Sequence, residues 1–238
     1  MDEEGYLFFR GIGPKDKITA ARRDVLSICA DAGWVRRDDL MAAKWTGIGP
    51  FTEGDRQYMD VYKQVLKLAT FLAVPEDSAF LNIIGKIVEG EPMLHRLRIA
   101  RLTFPNNVAQ TTAAHQDHWY IRGTPATYTI WTPLGDCPRT LGGLAVLPGS
   151  HRNGFIEHRL APGKKYAGHG LQEEQFPESR PWVAGDFAIG DFLIFHSYTI
   201  HKALPNLTGN ELRLSTDNRY QRQGEAIADI STKTHYNL

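Results

Sequence analysis

Residues 190–220 read GDFLIFHSYTIHKALPNLTGNELRLSTDNRY, and an apolar run with strand character lies at each end of this stretch. The first predicted strand covers residues 187–195 and the second covers residues 212–220. Pro205 and Asn206 mark the start of a loop between them. Both runs are short and rich in β-branched and aromatic residues, which is typical of strands in a sheet. The stretch therefore predicts two β-strands on either side of a loop.

The rest of the chain divides into a helical first part and a strand-rich second part. Apolar residues recur at helical spacing before residue 96 and in short runs after it. Predicted helices cover residues 15–32, 53–72 and 78–89, and further strands cover residues 5–10, 97–104, 126–134 and 144–147. Many short strands backed by helices indicate a mainly β fold with flanking helices (α+β), a β-sandwich or jelly roll in which a small cavity can lie between two sheets.

Composition narrows the range of functions. The 238 residues contain 27 basic and 27 acidic side chains, so no overall charge attracts nucleic acid or an anionic membrane. We expect a small-molecule substrate and a monomer or small homo-oligomer. No leader or bilayer-length apolar run is present, which predicts a cytoplasmic protein. With no repeat and no linker, we expect one domain over residues 1–238, helical support over 1–95 and jelly-roll core over 96–238.

A candidate metal site lies in residues 111–120, TTAAHQDHWY. In an extended segment, side chains two apart point to the same face, so His115 and Asp117 can reach one ion while Gln116 points away. His201, directly after an apolar strand, offers a second imidazole. Two histidines and one carboxylate on one face leave three open positions, as oxygen-activating iron(II) requires. An isolated His-x-Asp also fits polar residues near a turn.

A candidate anion site follows in the strand ELRLSTDNRY. Arg213 and Ser215 alternate with Leu212 and Leu214, so the guanidinium and the hydroxyl share one face. Burying them is costly unless an anion binds there. A dicarboxylate such as 2-oxoglutarate supplies that anion: the arginine fork holds the far carboxylate and the keto acid chelates the metal. The alternative is a structural salt bridge of Arg213.

Six segments together carry a resemblance to a known family. In chain order they are EEGYLFFRGI, HQDHWY, YTIWTPLGDC, GGLAVLPGSHRNG, GDFLIFHSYTIHKALPN and RLSTDNRY. The chain resembles the phytanoyl-CoA dioxygenase-like group of oxygenases that use iron(II) and 2-oxoglutarate. The resemblance implies a double-stranded β-helix (cupin-like), His115, Asp117 and His201 as iron ligands, and Arg213 as the 2-oxoglutarate anchor. It also implies that Ser215 and Trp131 border the co-substrate.

The expected reaction consumes O2 and 2-oxoglutarate, releases succinate and CO2, and hydroxylates an unactivated C–H bond of a small organic substrate. Candidate substrate contacts near the His-x-Asp segment are Asn107, Gln110, Trp119 and Arg122. Residues 160–181 are a candidate lid.

Alternatives to hydroxylation stay open at this point. Desaturation, epoxidation and ring formation can follow from the same chemistry. A cupin-like binding protein without enzymatic activity and a zinc or manganese hydrolase are two further possibilities, of which the hydrolase leaves Arg213 without a role.

Overall fold

The computed structural model describes residues 1–108, 111–160, 169–176 and 181–237. Within those ranges the helices are α1 (Lys15–Asp31), α2 (Arg56–Val65), α3 (Ala69–Ala73), α4 (Ser78–Ile87) and α5 (His118–Ile121). The strands are β1 (Tyr6–Phe9), β2 (Pro92–Thr103), β3 (Tyr128–Pro133), β4 (Leu144–Val146), β5 (Arg159–Leu160), β6 (His169–Gly170), β7 (Val183–Ala184), β8 (Phe192–His196), β9 (His201–Ala203) and β10 (Arg213–Arg222). Short 3-10 helices follow at Leu40–Ala42, Arg139–Leu141, Ser150–Asn153, Glu173–Gln175, Asp229–Thr232 and His235–Asn237.

Antiparallel sheets form the strand-rich part. In the described ranges, the larger sheet has five strands in the order β1-β8-β3-β10-β2, and a smaller sheet has three in the order β7-β4-β9. A separate hairpin pairs β5 with β6. The strand order departs from the chain order, as expected for a jelly roll. The predicted mainly β architecture with flanking helices is confirmed.

The helices cover the outer face of the larger sheet. Ile18 and Val25 of α1 are fully buried and belong to one apolar cluster with Ile130 of β3 and Leu214 of β10. The cluster joins the helical part to the strands. The division into one domain stays a prediction.

The inner face of the larger sheet carries a different set of side chains. Trp131, Leu193 and Phe195 belong to a second cluster with residues of the smaller sheet, such as Val146. Each is next in sequence to a residue of the outer cluster, because neighbouring side chains on a strand point to opposite faces. Leu212 and Leu214 belong to the cluster on the outer face. Arg213 and Ser215 alternate with them along the chain and therefore lie on the inner face.

Three predicted elements have other bounds in the structure. The helix over 53–72 is wrong as one helix: α2 ends at Val65 and α3 begins at Ala69. The bend lets both Val65 and Phe71 reach the core, where they are 0% and 1% exposed. The strand over 187–195 begins only at Phe192, because Gly190 has a φ of +91° and ends the preceding turn. The strand over 97–104 begins earlier, at Pro92.

No single helix in the described part of the chain is long and apolar enough to cross a membrane, although the bent pair Arg56–Val65 and Ala69–Ile87 meets the criteria of length and composition jointly.

Acid should destabilise this fold partly through His95. Its Nε2 donates to Oε1 of Gln221 at 2.8 Å, and Nδ1 has no partner among the described residues. Burial lowers the pKa of His95 to about 4. The unfolded chain binds this proton near pH 6.5 and the folded chain only near pH 4, so stability is lost as the pH falls between these values.

We expect the metal-free protein to lose about 1–2 kcal/mol more unfolding free energy between pH 7 and pH 5 than a His95→Gln variant does. Urea unfolding of both proteins at both pH values measures this difference. Parallel pH dependence in the two proteins would contradict the assignment.

Candidate metal centre

Two backbone hydrogen bonds bring His115 and His201 together. The His115 N–H donates to the His201 carbonyl and the His201 N–H to the His115 carbonyl, each at 3.0 Å. Such a reciprocal pair is the hydrogen-bonded pair of an antiparallel ladder, in which the opposed side chains lie on one face. The imidazole ring centroids are 4.2 Å apart. Residues 86 positions apart in the chain therefore present their rings to the same space.

The two imidazoles are oriented in the same way. Nδ1 of His115 donates to the carbonyl of Ala113 at 2.8 Å, and Nδ1 of His201 donates to the carbonyl of Thr199 at 3.0 Å. Since the carbonyls accept only from an N–H, both rings carry the proton on Nδ1 and present the lone pair of Nε2. Burial, followed by the nearby His115, lowers the pKa of His201 to about 3. The His201 ring is thus in the neutral form that binds a metal.

Asp117 completes the group from the start of α5. Its φ and ψ are −58° and −33°, so the chain leaves the extended conformation before this residue and the strand does not continue through it. The carboxylate still meets the histidines: Oδ1 lies 3.7 Å from Nε2 of His115 and 3.9 Å from Nε2 of His201. One ligand atom from each of the three residues falls within 4.8 Å of the others. The described residues thus contain a buried His-Asp-His group with the chemistry of an iron(II) site.

The Asp117 carboxylate is buried and ionised. Burial by itself would raise the pKa of this group, but the charge of Arg219, and then the two histidines, hold it well below the usual range of a carboxyl. Arg219 is 4% exposed and donates through Nε and Nη2 to both carboxylate oxygens at 3.0 to 3.1 Å. Thr129 adds a short hydrogen bond to Oδ2. The carboxylate is therefore available as a ligand near neutral pH.

Gln116, between the two ligands, anchors their segment on the other side. Its backbone N–H donates to Nε2 of His158 at 2.9 Å. Its side-chain nitrogen donates to the carbonyls of Gly154 and Tyr198, and its side-chain oxygen accepts from the N–H of Ile156, all at 2.8 Å. These four hydrogen bonds fix the backbone from which His115 and Asp117 project.

Arg213 lies on the inner face of β10 as the alternation predicts. It is 3% exposed, and its nitrogens donate to Ser215 Oγ at 2.6 Å and Thr103 Oγ1 at 2.7 Å. Nε has no partner in the described ranges. Two hydroxyl contacts leave three of the five guanidinium N–H groups available. Burial lowers the pKa of Arg213. Among the described residues no carboxylate hydrogen-bonds to this guanidinium, and a bound anion would compensate its charge.

A narrow pocket of about 30 Å³ is lined by Arg213 and both histidines, and it shares part of its wall with a larger cavity of about 250 Å³. Trp131 lines the narrow pocket, and its ring centroid is 6.0 Å from the Arg213 guanidinium carbon. The larger cavity is lined in part by Leu97, Ile99, Ile121, Ile230, Thr52, Glu53, Thr111, Tyr120 and His235. Residues shared by both spaces are Arg101, Thr112, His115 and Arg219.

Several charged and polar side chains are linked to one another along one wall of the larger cavity. Arg101 donates to Asp217 at 3.0 Å and to Glu53 at 3.3 Å. Glu53 also accepts a short hydrogen bond from Tyr236 and lies 3.9 Å from His235. The C-terminal segment is thereby attached to the loop before α2.

The predicted substrate contacts fall in different places. Asn107 lines a neighbouring cavity of about 70 Å³ that shares Thr52, Glu53, Arg101 and Thr112 with the larger one. Trp119 stacks on His158 at 5.1 Å and lies beneath the Arg122 guanidinium at 4.6 Å. Neither Trp119 nor Arg122 is among the residues that line the cavities described above. Gln110 and most of the candidate lid over 160–181 lie outside the described residues.

Sequence reasoning missed Arg219, Thr129 and Arg101. For the first two, the signal was present: continued alternation along β10 takes the inner face from Arg213 and Ser215 to Asp217 and Arg219, and along β3 from Trp131 to Thr129. Arg101 gave no comparable signal, since its acidic partners are 48 and 116 residues away.

Comparison with known proteins gives matches over most of the chain. Residues 1–214 match the family described as phytanoyl-CoA dioxygenase (PhyH). Among characterised relatives, 1-deoxypentalenic acid 11-beta-hydroxylase of Streptomyces exfoliatus is 28% identical over 235 residues, which cover 92% of this chain and 78% of the relative.

Solved structures show the same fold. The non-heme monooxygenase ThoJ, in its apo form, has a TM-score of 0.65 at 16% identity, with 93% of this chain and 75% of that chain covered. EctD from S. alaskensis, solved with 2-oxoglutarate and 5-hydroxyectoine, has a TM-score of 0.57 at 16% identity, with 95% and 75% covered.

These findings confirm the resemblance and the activity that it implies. The match extends over nine-tenths of the chain, and the described residues carry a His-Asp-His group at the expected place. The chain belongs to the phytanoyl-CoA dioxygenase (PhyH) family and is an iron(II)- and 2-oxoglutarate-dependent dioxygenase.

Proposed function

We propose that His115, Asp117 and His201 are the iron ligands of this dioxygenase. The observation that carries the proposal is the convergence of two Nε2 lone pairs and one ionised carboxylate oxygen within 4.8 Å. Each imidazole is fixed by a backbone carbonyl on its other nitrogen, the outer arrangement typical of metal-binding histidines. Three ligands on one side leave the opposite side open for reactants.

We further propose that Arg213 and Ser215 bind the far carboxylate of 2-oxoglutarate. The guanidinium is buried, is not compensated by a hydrogen-bonded carboxylate, and has free N–H groups at the end of the pocket that leads from the histidines. A dicarboxylate that extends from the metal to Arg213 places a negative charge where the protein has an uncompensated positive one. Trp131 would form one wall of this pocket.

Bound iron and 2-oxoglutarate supply the oxidising chemistry: O2 is consumed, succinate and CO2 leave, and a C–H bond of the substrate becomes C–OH. The chain's residues orient the reactants and limit access of water. Apolar side chains on the cavity wall, Leu97, Ile99 and Ile121, can hold a substrate next to the ligands. No side chain is required as a general base.

The cavity indicates a small substrate with an apolar body and polar edges. Its volume of about 250 Å³ is below the range of pockets for drug-sized ligands. Its wall combines isoleucine and leucine with Thr52, Glu53 and Arg101. The Streptomyces relative is named for an acid that it hydroxylates, and we propose a small organic molecule of similar polarity here. Asn107, one of the predicted contacts, lines a cavity that shares four wall residues with this space.

Hydroxylation is the outcome that we propose, and desaturation, epoxidation and ring formation are the alternatives within the same activity. A hydrolase would leave Arg213 and its pocket without a role. Contacts of Gln110, Trp119 and Arg122 with substrate, a cytoplasmic location and a monomeric or small homo-oligomeric state stay predictions.

Replacing a ligand should remove iron without unfolding the protein. We expect His115→Ala to lower iron(II) affinity and succinate formation by at least ~100-fold. Anaerobic iron(II) titration and a succinate assay measure the two effects, and circular dichroism checks the fold.

His118→Ala is the matched control, because His118 is three residues away and contacts Phe155 and Tyr198 instead of the cavity. Full iron binding by the His115→Ala variant would refute the proposed ligand set.

Replacing the anchor should act on co-substrate binding. We expect Arg213→Gln to raise the KM for 2-oxoglutarate about 10- to 100-fold, since a hydrogen bond to a charged group contributes about 1.5–3 kcal/mol. Iron affinity should be preserved. Steady-state succinate assays over a range of 2-oxoglutarate concentrations measure this.

The exposed Arg222, at the end of the same strand, provides the control substitution Arg222→Gln. An unchanged KM in the Arg213→Gln variant would exclude Arg213 as the anchor.

A further inference from the structure

The two oxygens of the Asp117 carboxylate have different surroundings. Oδ2 accepts a short hydrogen bond from Thr129 and two from Arg219, through Nε and Nη2 at 3.1 Å each. Oδ1 accepts from Arg219 Nη2 alone, at 3.0 Å. It is Oδ1 that lies 3.7 and 3.9 Å from the two imidazole Nε2 atoms. One oxygen is thus held by the protein and the other faces the metal position.

This difference bears on the number of open positions at the metal. A carboxylate can bind a metal through one oxygen or through both. With one oxygen bound, two histidines and the carboxylate leave three of six positions open, which 2-oxoglutarate and O2 require. With both bound, only two positions remain, and the chelating co-substrate would fill them.

We infer that Thr129 and Arg219 are positioning residues that keep Asp117 a one-oxygen ligand, with Oδ1 towards the metal and Oδ2 bound to the protein. The inference rests on the proposed metal site.

The positions of Thr129 and Arg219 in the larger sheet support this positioning role. Thr129 of β3 and Arg219 of β10 are directly opposed in the register of the two strands, and they are 1% and 4% exposed. Both side chains therefore approach Asp117 from one rigid cross-strand pair. The planar guanidinium can contact both carboxylate oxygens at once, which a lysine ammonium cannot do with the same geometry.

Thr129→Val tests the inference with little change of shape, because valine replaces the hydroxyl by a methyl group. Thr129→Ser keeps the hydroxyl and loses the methyl group. Thr132→Val is the matched control on the same strand: Thr132 is fully buried, and its hydroxyl has no partner among the described residues. The probes are Co(II) alone, followed by its visible d–d absorption, and Fe(II) under anaerobic conditions for the dissociation constant.

We expect Thr129→Val to weaken Fe(II) binding by ~10- to 100-fold, the usual effect of removing a group that supports a ligand. The Co(II) spectrum of this variant should change in intensity, because the number of Asp117 oxygens bound to the metal changes the symmetry of the ligand set. Thr129→Ser and Thr132→Val should keep the affinity and the spectrum of the wild type. Rescue by serine separates the role of the hydroxyl from a role in packing.

Arg219→Lys is a second, independent variant that keeps the charge and removes the two-oxygen contact. It should weaken Fe(II) binding in the same range and change the Co(II) spectrum in the same direction as Thr129→Val. Agreement between the two variants would link the effect to the orientation of Asp117.

Two results would overturn the inference. One is wild-type affinity and an unchanged Co(II) spectrum in Thr129→Val; the other is equal loss in Thr129→Val and Thr129→Ser. A wild-type protein that binds neither metal would be a different failure, since it would remove the proposed metal site and this inference with it.

Discussion

The reciprocal backbone pair between His115 and His201 is the constraint on which the site depends. It joins the segment before α5 to β9, and β9 belongs to the smaller sheet. Because the pair is hydrogen-bonded on both sides, each imidazole projects towards the larger sheet, where Arg219 and Thr129 hold Asp117. The His-Asp-His group therefore lies where the two sheets meet, and its three side chains converge only when both sheets are assembled.

Burial of charge is the second constraint. The walls of the two connected spaces contain three arginines and three carboxylates, Arg101, Arg213, Arg219, Glu53, Asp117 and Asp217. Such groups are costly to bury, so each must find a partner. Arg219 and Arg101 have carboxylates within 3.3 Å, whereas the hydrogen-bond partners of Arg213 in the described part of the chain are hydroxyl groups. In the proposed site, iron(II) and the 2-oxoglutarate dianion would add two charges of each sign, so the lining would stay balanced and Arg213 would gain an anion.

Much of the site could be predicted from local sequence. The alternation of β10 is visible in the order Leu212, Arg213, Leu214, Ser215. His115 and Asp117 come together as their spacing predicts, although Asp117 has helical φ and ψ values and does not continue a strand. Contacts between residues that are far apart in the chain could not be predicted in this way. Arg219 meets Asp117 across 102 residues, and the sequence between them does not specify that contact. The break between α2 and α3 also lacks a glycine or proline at residues 66–68, so tertiary packing of Val65 and Phe71 decides it.

Anaerobic titration of the metal-free protein with iron(II) and then 2-oxoglutarate would show whether both bind at the proposed site. We expect a weak visible charge-transfer band that appears only when both are present, at one equivalent of each, because the keto acid then chelates an iron held by His115, Asp117 and His201. A folded protein that binds iron(II) but develops no band with saturating 2-oxoglutarate would contradict the proposed site, because the pocket that ends at Arg213 would then not hold the co-substrate.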